Sequence, residues 1–173
     1  MGVFPIIMKE RMRQMFEIFK KNQSLDLYSP VDGKRIALEN VPDQVFASKM
    51  MGDGVAFELE GNAICAPCNG KVTMIANTLH AIGITATNGA EILIHVGLDT
   101  VNLEGKGFKR FVEQGSRVRK GELLLEIDRA FMEEQAVDLI TPMVITNGAE
   151  VTFAIEPGED LVVKGKTKLI TFK

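Results

Sequence analysis

The sequence predicts an all-β protein, a β sandwich or barrel with short helices and an amphipathic helix at its N-terminus. After Lys21, short apolar runs alternate with turn signals such as Asp32-Gly33, Asn69-Gly70 and Asn88-Gly89. Turns at this spacing are typical of many short strands. The predicted strands are residues 54–59, 71–76, 80–87, 90–96, 122–127, 143–146, 151–155 and 168–172.

Residues 1–22 are predicted to form the amphipathic segment, and residues 23–173 the main domain. Apolar side chains recur in the segment at three- and four-residue steps, which places them on one face of a helix: Met8, Met12, Met15, Phe16 and Phe19. The segment has five basic and two acidic side chains, a charge of +3, and the rest of the chain carries −6. Such a helix either packs on its own domain or makes weak contact with an anionic membrane.

Only two later stretches have a helical composition, residues 107–113 and residues 129–137, and the second is rich in Glu, Ala and Met. The 173-residue length is that of one domain, with 46% apolar and 25% charged residues. No apolar run reaches the roughly 20 residues that cross a bilayer. Two cysteines cannot build a disulfide framework, so a reducing cytoplasm is expected. A net charge of −3 argues against nucleic-acid binding.

The chain has two histidines, His80 and His95, on either side of the hairpin signal Asn88-Gly89. A two-residue loop there would place Ile82 opposite His95, and both histidines on the face that also carries Ile84 and Leu93. They would then be diagonal neighbours about 7–8 Å apart. A loop with an odd number of residues would shift the register and separate them.

Three kinds of chemistry suit such a pair, and the pattern alone does not choose among them. Zinc binding would use both imidazoles and a third ligand, either Asp99 or a carboxylate of another protein. Acid–base catalysis would need a nucleophile, for which Thr78 and Thr100 are weak candidates. In a phosphoryl relay, one imidazole would hold the phosphoryl group while the other donates to its oxygens.

Two further motifs are interpreted as incidental. Cys65-Ala-Pro-Cys68 lacks a second cysteine pair for zinc and the helix start that lowers a thiol pKa. Lys49-Met50 is similar to the modified Lys-Met of biotin and lipoyl carriers, but it does not lie at a tight hairpin, so a solvated lysine is expected.

The segments around the histidines resemble the glucose-class enzyme IIA component of the bacterial phosphoenolpyruvate-dependent sugar phosphotransferase system. The most specific segment is Glu91-Ile-Leu-Ile-His95-Val-Gly-Leu-Asp99, followed by Asn102-Leu-Glu-Gly-Lys-Gly-Phe108. Asn77-Thr-Leu-His80-Ala81 is similar to the second-histidine segment, although Leu79 replaces the common Asn. Weaker matches in the same order extend the resemblance over roughly residues 25–172.

The resemblance implies an antiparallel β sandwich of the hybrid-barrel type, built on a duplicated hybrid motif. It implies that His95 is phosphorylated on Nε2 by the histidine-containing phosphocarrier protein, and that the group then passes to a cysteine on the IIB domain of a sugar permease. His80 would stabilise the phosphoryl group. Thr78 would orient His80, and the carbonyl of Gly97 would orient His95, each through Nδ1.

The resemblance also implies a docking surface for these partners. Asp43 and Asp99 would meet an arginine of the phosphocarrier, within an apolar ring formed by Val45, Phe46, Ile82 and Leu93. The chain is therefore predicted to be a cytoplasmic phosphotransferase that requires no cofactor and that could bind zinc at His80 and His95 within a partner complex.

Regulated metabolic enzymes or transporters are further predicted partners. The alternatives are a zinc-dependent peptidase-like hybrid-barrel domain and a regulatory binding module without catalysis. The peptidase would need a His-x-His motif and another ligand, which the sequence lacks.

Overall fold

Antiparallel strands build most of the main domain. A computed structural model describes residues 4–21 and 25–173 of the chain. The helices are α1 (Phe4–Lys21), α2 (Gln44–Ala47) and α3 (Arg129–Glu134), and short 3₁₀ turns occupy Leu38–Asn40 and Thr100–Leu103. The strands are β1 (Asp26–Tyr28), β2 (Gly33–Ala37), β3 (Asp53–Leu59), β4 (Ala63–Cys65), β5 (Gly70–Ile75), β6 (Ala81–Ala86), β7 (Glu91–His95), β8 (Phe108–Arg110), β9 (Arg117–Val118), β10 (Leu123–Ile127), β11 (Ile140–Ile145), β12 (Phe153–Ile155), β13 (Leu161–Val162) and β14 (Lys168–Phe172).

The strands form one large sheet and two small ones. The large sheet has the order β13-β2-β3-β11-β7-β6-β5-β9, and the small sheets have the orders β1-β14-β12 and β4-β10-β8. Each strand pairing described is antiparallel. The predicted antiparallel β sandwich is confirmed.

The large sheet buries apolar side chains on both faces. Along β7, Ile92 and Ile94 belong to the main core, whereas Leu93 belongs to a second, smaller cluster. Because side chains alternate along a strand, the two clusters lie on opposite faces of the sheet. We call them the inner face, with the main core, and the outer face, with the cluster of Leu38, Val41, Phe46, Ala56, Ala81, Leu93, Leu98 and Val144.

Each predicted strand overlaps an observed one, but several short strands escaped prediction: β1, β2, β4, β8, β9 and β13. The helix predicted at residues 107–113 is wrong. Phe108–Arg110 is strand β8, which pairs with Leu125–Ile127 of β10, and Gly107 has a left-handed φ of +81° that no helix continues. The helix predicted at residues 129–137 is confirmed as the shorter α3.

The predicted N-terminal helix is confirmed as α1, but the apolar side chains described along it, those within residues 6–16, are not packed on the domain. The side chains of residues 6–16 are exposed, with Met12 at 60% and Phe16 at 69%. For these residues the interpretation of a helix packed on its own domain is wrong. The side chain of Phe19 and the domain boundary predicted at residue 22 lie outside the part of the chain that the structure describes. Over residues 4–21 and 25–173, no helix is long and apolar enough to cross a membrane.

Candidate active site

The hairpin between β6 and β7 has a register one residue away from the predicted one. Ala81 pairs with His95, and Ile82 pairs with Ile94. The Ala86 N–H donates to the Ala90 carbonyl at 2.8 Å, so residues 87–89 form an odd, three-residue loop. Ile82 and Ile84 therefore lie in the inner core, not beside His95.

The two imidazoles nevertheless meet. The ring centroids of His80 and His95 are 5.0 Å apart, and the rings are at 74° to each other. The alternation used in the prediction does not apply to His80, because β6 begins only at Ala81 and the preceding Leu79 has a left-handed φ of +58°. The convergence of the histidines was predicted, but the reason given for it was wrong.

A hydrogen bond at Nδ1 fixes each ring. The Nδ1–H of His95 donates to the carbonyl oxygen of Gly97 at 2.7 Å, and Nδ1 of His80 is 2.6 Å from Oγ1 of Thr78. A carbonyl only accepts, so neutral His95 carries its proton on Nδ1 and a lone pair on Nε2. The Thr78 hydroxyl can donate to Nδ1 of His80, which leaves a proton on Nε2 of that ring.

The loop after β7 holds the Gly97 carbonyl in place. Gly97 has a φ of +73°, and a Cβ there would lie 2.6 Å from Cγ2 of Thr100. Buried Thr100 donates from Oγ1 to the Val96 carbonyl at 2.6 Å.

Both threonine hydroxyls considered as nucleophiles are engaged in hydrogen bonds, that of Thr100 with the Val96 carbonyl and that of Thr78 with His80.

Phe46 supports His95 from α2. Its ring centroid lies 5.0 Å from that of His95, and the residue is only 5% exposed. Asp43 caps α2, since its carboxylate accepts from the Val45 N–H at 2.9 Å. The capping interaction fixes the helix that presents Phe46 to the imidazole.

The predicted apolar docking ring needs correction. Ile82 is 0% exposed in the inner core, so it cannot contact a partner. Leu93, at 8%, belongs with Phe46 to the cluster beneath the site, whereas Val45 is 43% exposed.

Met74 is an exposed apolar residue that the sequence prediction missed. It is 37% exposed and packs over Gly83. A Cβ added at Gly83 would lie 3.2 Å from the Cβ of Met74. Met74 pairs with Gly83, and Gly83 pairs with Leu93, so Met74 lies on the outer face of the sheet. The sequence signal that could have indicated this residue is the glycine at position 83, which leaves room on the neighbouring strand for the long side chain of Met74.

Burial keeps the imidazoles neutral. Desolvation lowers the pKa of His95, although the Gly97 carbonyl and the charges of Asp43 and Asp99 oppose this effect. The pKa of His80 is also lowered, first by desolvation and then by the neighbouring His95. With both pKa values below the usual 6.5, each ring is mainly uncharged at neutral pH.

The lowered pKa of His95 should make stability depend on pH. As pH falls below about 6.5, the unfolded chain binds protons that the folded site resists, so the free energy of unfolding should fall until the folded pKa is passed. Urea unfolding of wild type and His95→Gln between about pH 7.5 and 5.5 measures this slope. The variant should show a shallower slope, and equal slopes would contradict the assignment.

The two cysteine thiols are buried and not accessible for reaction. Cys65 and Cys68 are buried and unpaired with each other. Burial raises the pKa of both thiols, that of Cys68 to about 12, so the nucleophilic thiolate is scarce. This agrees with the interpretation of the motif as incidental.

The histidine pair alone offers too few ligands for a zinc centre. Among the described residues, no three His, Cys, Asp or Glu side chains form a group that could hold a metal ion. Zinc sites use at least three protein ligands. A metal at His80 and His95 would need a ligand from outside these residues.

An antiparallel β sandwich with paired neutral imidazoles fits the class of small domains that carry a phosphoryl group on histidine. The family model described as phosphoenolpyruvate-dependent sugar phosphotransferase system, EIIA 1, matches residues 25–151, and the chain belongs to this family. It is thus a phosphotransferase that works through a phosphohistidine.

Curated relatives agree with the family. The chain is 42% identical to the glucose-specific EIIA component of Borreliella burgdorferi, over 79% of this chain and 72% of the relative. It is 38% identical to that of Staphylococcus epidermidis ATCC 12228, over 86% and 90%. It is 46% identical to the N-acetylglucosamine-specific EIICBA component of Klebsiella pneumoniae, over 85% of this chain but only 23% of that longer relative.

A solved structure shows the same fold. The glucose permease IIA from Mycoplasma capricolum superposes with a TM-score of 0.77 at 37% identity, over 86% of this chain and 96% of the other.

Proposed function

We propose that this chain relays a phosphoryl group in sugar uptake, from the histidine-containing phosphocarrier protein to a cysteine on the IIB domain of a sugar permease. The observation that carries this proposal is the contact between the imidazoles of His80 and His95, whose ring centroids are 5.0 Å apart. The Nδ1–H of His95 is hydrogen-bonded to the Gly97 carbonyl. The lone pair on Nε2 is then the nucleophile.

Acceptance is a balanced exchange of nitrogen–phosphorus bonds. The Nε2 lone pair of His95 bonds to phosphorus as the bond to the donor imidazole breaks, and Nε2 has no proton to lose. His80, with Thr78 donating to its Nδ1, presents Nε2–H to the phosphoryl oxygens. In the onward step, the partner's thiolate bonds to phosphorus as the His95 nitrogen–phosphorus bond breaks.

A glucose-class permease is the proposed destination. Two of the relatives above are named glucose-specific EIIA components. In the EIICBA relative, the matched region is only part of one longer chain, so an IIB domain acts beside this kind of domain there. A cytoplasmic location follows from this proposed relay and stays a prediction.

Reconstitution of the whole relay tests the proposal. The assay mixture contains phosphoenolpyruvate, enzyme I, the phosphocarrier protein, glucose and vesicles with a permease that lacks a IIA domain. Glucose should be phosphorylated only when this chain is added. No sugar phosphate in its presence, with each other component shown to be active, would refute the relay.

The charge of Asp99 should speed the encounter with the phosphoryl donor. Asp99 has a left-handed φ of +55° and makes no capping hydrogen bond, and its charge acts on His95. Pairing at a rim mainly sets the association rate and its salt dependence. Asp99→Asn, which tolerates this backbone conformation, should slow acceptance about threefold to tenfold at low salt and less at high salt.

Stopped-flow acceptance rates across ionic strengths measure this effect, with thermal stability measured alongside. Asp160→Asn, away from the site in the loop before β13, is the matched control. An Asp99→Asn rate equal to wild type at all salt concentrations would contradict the prediction. Asp43 is a poorer test, because its carboxylate also caps α2.

Three further interactions remain predictions. The first is zinc binding at the histidine pair with a carboxylate from a partner protein, the second is binding of regulated enzymes or transporters, and the third is weak contact of α1 with an anionic membrane. The exposed side chains of Met8, Met12, Met15 and Phe16 on α1 agree with the last of these. The zinc-dependent peptidase alternative lacks ligands within the described residues.

A further inference from the structure

The connection between β5 and β6 delivers His80 to the site. The Ala76 N–H donates to the Ala81 carbonyl at 3.0 Å, so the four residues 77–80 form the loop. Within it, the Leu79 N–H donates to the Ala76 carbonyl at 2.8 Å, which closes a tight turn. His80 is thus the last residue of the loop and directly precedes Ala81, the first residue of β6.

The backbone of His80 already follows the pairing with β7. Its carbonyl accepts from the Val96 N–H at 2.7 Å, one step beyond the Ala81–His95 pair. A regular strand residue opposite Val96 would share its face, and Val96 is fully buried in the inner core. The His80 ring instead contacts His95, which shares the outer face with Leu93.

Within this loop, Leu79 has an unusual backbone conformation. Its φ of +58° is left-handed, a conformation that Gly and Asn adopt readily and that costs free energy for a leucine. Leu79 belongs to neither of the hydrophobic clusters found among the described residues, so core packing does not account for it.

We propose that Leu79 is a positioning residue for phosphoryl transfer: its left-handed backbone aims the His80 imidazole at His95 and closes the Thr78–His80 hydrogen bond. This inference rests on the proposed relay. The required property is the backbone conformation and not the leucine side chain. Residues that tolerate a left-handed φ should therefore preserve transfer, and β-branched residues should impair it.

A series of substitutions at residue 79 tests the inference in the full chain. Leu79→Asn, Leu79→Gly and Leu79→Ala should pass the phosphoryl group to an isolated IIB domain within about twofold of wild type. Leu79→Val should still accept from the phosphocarrier but pass the group on at least about tenfold more slowly. Exposed Leu161→Val is the matched control for the same chemical change elsewhere.

Two readouts separate positioning from general damage. In a His80→Gln background, adding Leu79→Val should cause no further loss of transfer, because the positioned group is already gone. The His80 ring nitrogen signals in NMR spectra should shift in Leu79→Val and stay near wild type in Leu79→Asn. If Leu79→Val does not fold, the Ala, Asn and Gly variants still decide, since a large loss in all three would show that the side chain acts.

Wild-type transfer by Leu79→Val, or an additive loss in the double variant, would overturn the inference. These outcomes differ from failure of the proposed relay, in which the wild-type chain itself would neither accept nor pass on the phosphoryl group.

Discussion

Replacing His95 by Gln should abolish phosphoryl acceptance. A glutamine amide fills similar space, but its nitrogen lone pair is delocalised and is not a nucleophile. The imidazole of His95 is the one whose Nδ1 proton is held by a carbonyl, which leaves Nε2 free to attack. Acceptance from the phosphorylated phosphocarrier, followed by gel shift or mass, should fall below detection, a loss of at least about 10⁴-fold.

The fold should survive this change, because His95 lies at the end of β7 and is partly exposed. Circular dichroism and a thermal melt check that point. A folded His95→Gln variant that still gains a phosphoryl group at another residue would contradict the assigned nucleophile.

Replacing His80 by Gln should separate the two halves of the relay. The nucleophile remains, so the variant should accept from the phosphocarrier within about tenfold of wild type. Onward transfer should fall about 100- to 1,000-fold, because a glutamine amide can donate a hydrogen bond but can neither exchange a proton nor be held through Nδ1 by Thr78 as the imidazole is. Acceptance and chase with a purified IIB domain measure the two rates separately.

Thr78→Val gives a graded companion to this experiment, since it keeps His80 and removes its 2.6 Å partner. A partial loss of onward transfer is expected, with acceptance near wild type. Equal loss of acceptance in His95→Gln and His80→Gln would contradict the division of roles between the imidazoles.

The architecture was predictable because turn signals separate its strands. Asn69-Gly70 lies at the start of β5, and Asn88-Gly89 lies in the loop between β6 and β7. The strands that escaped prediction include β9 and β13, which have two residues each and too little alternation to detect. Residues 107–113 resembled a helix by composition, but pairing with β10 determined their structure.

The site was predictable in its residue identities and less so in its geometry. Asn88-Gly89 predicted a two-residue loop, whereas the three-residue loop moved Ile82 to the inner core. A shift of one residue reverses the face of every side chain, and a local turn signal does not set that register alone. The left-handed φ of Leu79 was not predictable, because leucine is not a residue type that typically adopts this conformation.

The central claim is that Nε2 of His95 carries the phosphoryl group. The most direct measurement is long-range ¹H–¹⁵N NMR of the ring nitrogens, recorded on the chain after incubation with phosphoenolpyruvate, enzyme I and the phosphocarrier protein. We expect one phosphoryl group per chain, bonded to Nε2 of His95, with Nδ1 still protonated toward Gly97. A phosphoryl group on Nδ1, on His80, or on no histidine at all would contradict the account.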